Sequence, residues 1–342
     1  MHRGTGSTPA ARDGAAAVPE RRPPHFSIPF PTELNPDTER AGRAGLRWAR
    51  ETGLTPGPVE RRALAAPRYD RLAGHAYPRA EGPELDLTVQ WMMWFFTFDD
   101  LFDGPFGRDL LAVGGLTETL IAAMYDGRGP HDGDMPLLRG FLDLCRRSVA
   151  HTSPSWRTRF HSDVEVYLRS YQWEAANRVL GRTPAIDTYL EMRRHSIGVW
   201  MSLDLAEPCG RFALPHSAFR SEAIQTMRRL CSDVVVLVNE VLSYDKDRGH
   251  GDVNLLVLLQ ETERLSFAEA VRRAQETVAD DVRRYQDLEA GLDRLLTDLN
   301  LPPHHASDLE RYAHAMRSWM RGNLDWSLET VRYRRRQSGR VS

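Results

Sequence analysis

Lysine is almost missing from this chain. Its 342 residues carry 45 basic side chains against 47 acidic ones, and every basic residue but Lys246 is an arginine. The skew itself reads as codon bias, so the interest lies in where the exception sits. Cysteine is nearly as scarce: Cys145, Cys209 and Cys231 are too few and too scattered for a disulfide framework or a zinc site. They point to reduced thiols in a cytoplasmic protein. A formal net charge of -2 excludes a nucleic-acid binder that works through a basic surface. No run of about 18 apolar residues occurs, which excludes a membrane-spanning helix, and no repeat recurs at solenoid periods. Strand signals are sparse as well, with few alternating β-branched runs and few Asn-Gly or Asp-Gly turns.

What remains is helix. With 41% hydrophobic residues the chain can build a large core. Pro83-Glu84 opens an apolar segment that reaches Asp103, and Gly104-Pro105 stops it. Further helices are expected at about 109–125, 136–150, 155–180, 186–206, 218–247, 252–262, 266–295 and 306–333. No linker divides them, so one all-α domain is predicted over residues 26–333. Residues 1–25 are rich in Gly, Ala, Pro and Arg and lack the apolar stretch of a signal peptide. They are expected to be a disordered tail, as are residues 334–342, which open on Arg334-Arg335-Arg336.

Two segments carry chemistry. In the first, the aromatic run Trp91 to Phe98 leads directly into Asp99-Asp100-Leu101-Phe102-Asp103. On a helix, Met92, Phe96, Asp99 and Asp103 share a face. Carboxylates crowded together repel unless a hard divalent cation bridges them. Acids are also poorly placed at a helix C-terminus, where the dipole is negative. The pattern predicts an acidic rim over an aromatic floor. In the second segment, Asn239, Ser243 and Asp247 are spaced four and four apart at the polar end of an apolar helix. An amide oxygen, a hydroxyl and a carboxylate on successive turns form a hard-oxygen chelate that suits magnesium. Lys246 lies beside that stripe.

Together these segments resemble a bacterial class I terpene cyclase of the pentalenene synthase-like group. Asp99-Asp100-Leu101-Phe102-Asp103 matches the family's DDxxD motif, and Asn239 and Ser243 match its Asn-xxx-Ser-xxx-Glu motif. Asp247 stands where that motif has Glu, which shortens the ligand arm by one methylene; Glu240 stands where Asp is commoner. Tyr189 to Gly198 resembles the segment with the pyrophosphate-sensing arginine, which spacing to the glycine assigns to Arg194. Gly198 then matches the helix-break residue whose backbone carbonyl faces the substrate. Arg332-Tyr333 matches the family's C-terminal Arg-Tyr pair.

The resemblance implies an α-helical bundle around a central apolar cavity. It also implies an enzyme that ionises a prenyl diphosphate, with farnesyl diphosphate as substrate and a cyclic sesquiterpene hydrocarbon or alcohol as product. Three magnesium ions are expected, held by Asp99, Asp100 and Asp103 on one side and by Asn239, Ser243 and Asp247 on the other. Arg194, Lys246, Arg332 and Tyr333 would bind the diphosphate. Phe95, Phe96 and Trp326 are the expected cavity lining; Trp91 and Trp94 are assigned to the core. Trp319, Asn323, Trp326, Thr330 and Tyr333 fall in a 4-3-4-3 rhythm expected on one face of the last helix. Asp280-Asp281 lacks a fifth-position acid, which argues against a chain-elongating prenyltransferase. No nucleic-acid partner and no membrane insertion are expected, and the molecule would be a monomer or homodimer. Two other readings stand beside this one: a cyclase for a C10 or C20 substrate, and a non-catalytic isoprenoid-binding helical protein.

Overall fold

The computed structural model describes residues 24–333. The expected tails therefore lie outside the described residues, apart from Pro24 and His25. The chain begins with α1 (Thr38–Glu51), α2 (Pro58–Ala65) and α3 (Tyr69–Ala76), followed by α4 (Gly82–Asp100) and a 3-10 turn at Pro105–Arg108. The middle holds α5 (Leu110–Asp126), α6 (Pro136–Val149), α7 (Pro154–Leu180), α8 (Ile186–Ser196), α9 (Val199–Asp204), α10 (Ala206–Gly210) and α11 (His216–Phe219). The last part is α12 (Glu222–His250), α13 (Leu255–Thr262), α14 (Phe267–Ala290), α15 (Leu292–Asp298) and α16 (His305–Glu329). The all-α expectation holds, and no strand occurs among the described residues.

Helix α4 is apolar on all sides and accordingly buried. Trp91, Trp94 and Phe98 have no exposure and pack against Phe141 of α6 and Phe160, Tyr167 and Tyr171 of α7, while α1, α3 and α6 pack around the helix as a whole. Helix α12 is covered by α14 and α16, and α16 in turn by α3. Gln172 donates to Thr117 and Tyr125 to Glu165, so α5 and α7 run antiparallel. Helix starts are fixed by the residue types expected there. Asp109, Ser153, Ser221 and Asn254 accept from backbone amides of the first turn, and Ser266 forms a capping box with Glu269. All three cysteines are free and buried. No described helix is long and apolar enough to cross a membrane.

The helices expected over 218–247 and 266–295 are each split, at Arg220-Ser221 and at Gly291, and three further boundaries differ where they bear on the site. The segment predicted as one helix over 186–206 is broken: α8 ends at Ser196 and α9 begins at Val199. Gly198 lies between them at φ +75, and a Cβ there would stand 3.2 Å from the Met201 methyl. Helix α4 ends at Asp100, so Asp103 projects from a turn and not from the helical face shared with Asp99. Helix α16 ends at Glu329, because the Thr330 hydroxyl bonds the Pro67 carbonyl and its backbone is extended. Thr330 and Tyr333 thus leave the helix on which the 4-3-4-3 stripe was expected.

Candidate active site

The C-terminal ends of α4, α7, α12 and α16 converge at one end of the bundle and surround a cavity. Its floor is apolar and aromatic, including Met92, Phe95, Phe96, Trp319 and Trp326. Phe95 is held by stacking on Trp91 at 4.9 Å and Phe96 by stacking on Tyr69 at 4.2 Å. Trp326 meets Phe96 at 5.4 Å and Tyr333 at 5.8 Å, its indole nitrogen donating to the Pro67 carbonyl.

Two rows of oxygen donors face each other across the mouth. On the α4 side, Asp99 accepts from the Tyr171 hydroxyl at 3.1 Å and pairs with Arg332 at 2.6 Å. Arg332 also pairs with Asp100 at 2.8 Å and lies 4.7 Å from the centre of the Phe96 ring. Asp103 pairs with Lys246 at 3.1 Å. Burial pushes the Asp99 carboxyl up, but Lys246 and Arg332 outweigh it and hold the group below its ordinary value.

On the α12 side, the Ser243 hydroxyl donates to Asp247 at 2.6 Å, and the Asn254 amide donates to the same carboxylate oxygen at 2.9 Å. Burial, with Glu240 nearby, pushes Asp247 up to about 6. The Asn239 amide is oriented from both ends: its oxygen accepts from Arg193 at 3.0 Å and its nitrogen donates to the Tyr333 hydroxyl at 2.8 Å. An amide oxygen, a hydroxyl and a carboxylate one turn apart on a helix are chemically suited to a hard divalent cation. Asp247, though shorter than Glu, still reaches the Ser243 hydroxyl. Asp103, His250 and Asp252 also bring ligand atoms within 4.8 Å of one another. Both acids of that group already have cations, Lys246 on Asp103 and Arg178 on Asp252.

The sequence relatives agree with this geometry. Residues 90–284 match the family described as terpene synthase family 2, C-terminal metal binding. The chain belongs to that family. As a class I terpene synthase it is 37% identical to pristinol synthase of Streptomyces pristinaespiralis, over 92% of this chain and 86% of that protein. It is 36% identical to pentalenene synthase of Streptomyces exfoliatus, over 90% of this chain and 92% of that one. The solved linalool/nerolidol synthase of Streptomyces clavuligerus superposes with a TM-score of 0.81 at 30% identity, covering 89% of this chain and all of that one.

Most of the residues expected from sequence do meet in this synthase. Phe95, Phe96, Asp99, Asp103, Gly198, Asn239, Ser243, Lys246, Asp247, Trp326, Arg332 and Tyr333 all line the cavity, and Asp100 joins them through Arg332. Arg194 does not. Its guanidinium is spent on Asp233 at 2.5 Å and Glu191 at 2.7 Å, on the far side of α8. The arginine that faces the cavity is Arg193, one residue earlier and therefore about 100° round the helix. It donates to Glu240 at 2.7 Å, to Ser196 at 2.7 Å and to Asn239. Gly198 reaches the cavity, but its carbonyl accepts from the Ser202 hydroxyl at 2.7 Å and so continues into α9. Sequence reasoning also passed over α7, which supplies Tyr167, Tyr171, Glu174 and Arg178 to the wall. Their 4-3-4 spacing, a polar stripe on an aromatic helix, was the available signal.

Proposed function

We propose that this terpene synthase ionises and cyclises farnesyl diphosphate to a cyclic sesquiterpene in a magnesium-dependent reaction, with release of diphosphate. The observation that carries the reading is the pair of opposed donor rows, Asp99 to Asp103 and Asn239–Ser243–Asp247, at the mouth of an aromatic chamber. Three magnesium ions between the rows, held by Asp99, Asp100 and Asp103 and by Asn239, Ser243 and Asp247, would neutralise the departing anion. Arg193, Lys246 and Arg332 supply further positive charge at the mouth, and Tyr333 a hydroxyl. Arg332 already pairs with Asp99 and Asp100, and Lys246 with Asp103, so binding of the diphosphate exchanges one anionic partner for another and leaves no cation stranded. Phe95, Phe96 and Trp326 then face an allylic cation with aromatic surface, each worth about 0.5–2 kcal/mol. They offer it no nucleophile.

Incubation with farnesyl diphosphate and magnesium, followed by mass spectrometry of the organic extract, tests this directly. A cyclic C15 product is expected, together with loss of turnover on chelation and in Asp100→Asn and Asn239→Ala. Undiminished turnover in both variants would sink the metal assignment. The likeness to linalool/nerolidol synthase, also solved with 2-fluorogeranyl diphosphate, favours a second reading in which a C10 substrate is used. Parallel incubation with geranyl diphosphate decides between them.

A further inference from the structure

The two donor rows sit on separate helix ends, and their separation must be set by something other than the groups that bind ligand. Asp103 and Lys246 do bridge the gap, but both would take new partners when substrate arrives. Arg178, at the C-terminal end of α7, makes a second bridge from groups outside both rows. One amino group donates to the Gly107 carbonyl at 3.1 Å, on the turn that follows Asp103. Its Nε and other amino group donate to the same Asp252 oxygen at 3.2 and 2.8 Å. The Arg178 side chain is 16% exposed and Asp252 19%.

Both ends of this bridge lock onto the donor rows. The Asp252 amide donates to the Asp247 carbonyl at 2.9 Å, so the residue gripped by Arg178 is fastened to the last donor of α12. On the other side the backbone is pressed close. A Cβ on Gly107 would stand 2.2 Å from the Phe102 carbonyl and 2.8 Å from the Arg178 guanidinium, which only glycine permits. The turn carrying Asp103 and the turn capping α12 are thereby drawn onto one guanidinium fork, a geometry lysine cannot reproduce.

We infer that Arg178 is a positioning residue that sets the distance between the two donor rows and so the affinity for the metal–diphosphate assembly. The inference rests on the function proposed above. The test uses the full-length protein and binding of inorganic diphosphate in the presence of magnesium, measured by calorimetry and by the rise in unfolding temperature. Arg178→Gln and Asp252→Asn should each weaken that binding by about tenfold or more, the range seen when groups behind metal ligands are removed. Each should also raise the magnesium concentration that gives half-maximal turnover. Arg178→Lys should recover part of the loss, and Arg178→Gln with Asp252→Asn should be no worse than either alone. If Arg178→Gln fails to fold, Asp252→Asn carries the test. Asp252→Asn with parental diphosphate affinity overturns the inference, because Arg178 would then act by touching the ligand or not at all. A parent protein that binds no diphosphate with magnesium sinks the proposed function, and this inference with it.

Discussion

At the scale of residues, Arg193 and Arg194 show what one position is worth. Counting back from Gly198 assigns the cavity-facing role to Arg194, but the count runs across Ile197 and Gly198, where the helix is broken and helical phase is lost. Within α8 the phase is set by partners: Arg193 is drawn to buried Glu240, Arg194 to Asp233. Arg193→Ala should lower kcat/KM by about 100-fold or more, as removal of one preorganised donor to a developing anion does. Arg194→Ala should stay within about threefold of the parent. Steady-state kinetics on the two variants checks both, and a reversed order would restore Arg194 to the site. The donor rows and the Arg332-Tyr333 pair, by contrast, were legible as residues. Their oxygen and cation types only make chemical sense together, whatever the local phase.

At the scale of elements, the apolar period revealed α4 and the helices after it, while α1 and α3 stayed hidden. The buried residues of α1 are mainly Ala and Gly, such as Ala41, Gly42 and Gly45, and α3 buries Ala73, Gly74 and Ala76 beside only two large apolar side chains, Tyr69 and Leu72. Small side chains let helices approach closely but leave no large-apolar stripe to read in the sequence. Helix ends were legible where a cap or breaker marks them and not where a tertiary bond does, as at Thr330. The break at Gly198 has a consequence for the cavity floor. Ala at this left-handed position costs about 1 kcal/mol, which lowers the unfolding temperature of a chain this long by about 1–2 °C. Because the break aims Ser202 and Ile197 at the cavity, Gly198→Ala should also change the ratio of products seen by gas chromatography. An unchanged ratio confines Gly198 to a conformational role.

At the scale of the molecule, the end of the bundle remote from the mouth holds a second polar set. Arg228, on α12 roughly 28 Å along the helix from Asp247, pairs with Asp163 and Asp204 at 2.8 Å each. Arg159 pairs with Asp204 at 2.9 Å and with Glu207. Burial pushes Glu207 up to about 7 in spite of Arg159, and burial with Asp204 alongside pushes Asp163 up as well. A raised carboxyl value means the folded state keeps protons that the unfolded chain has released. Stability from these groups is therefore full below the ordinary carboxylate range near pH 4 and is lost as pH rises through about 7. His161 and His195, both depressed by burial, act in the opposite sense, so the comparison should be with a variant. Urea midpoints from about pH 5 to pH 8.5 should fall less steeply in Glu207→Gln than in the parent. Equal slopes would mean that Glu207 titrates normally. A different consequence follows from Lys246, four-fifths buried against Asp103 near the end of α12. A protease that cleaves only after lysine has one bond to cut in 342 residues, and that bond lies within a helix. Such an enzyme would spare the native fold and split each opened molecule once, so two fragments on a gel would count the opening of α12 at the mouth of the cavity.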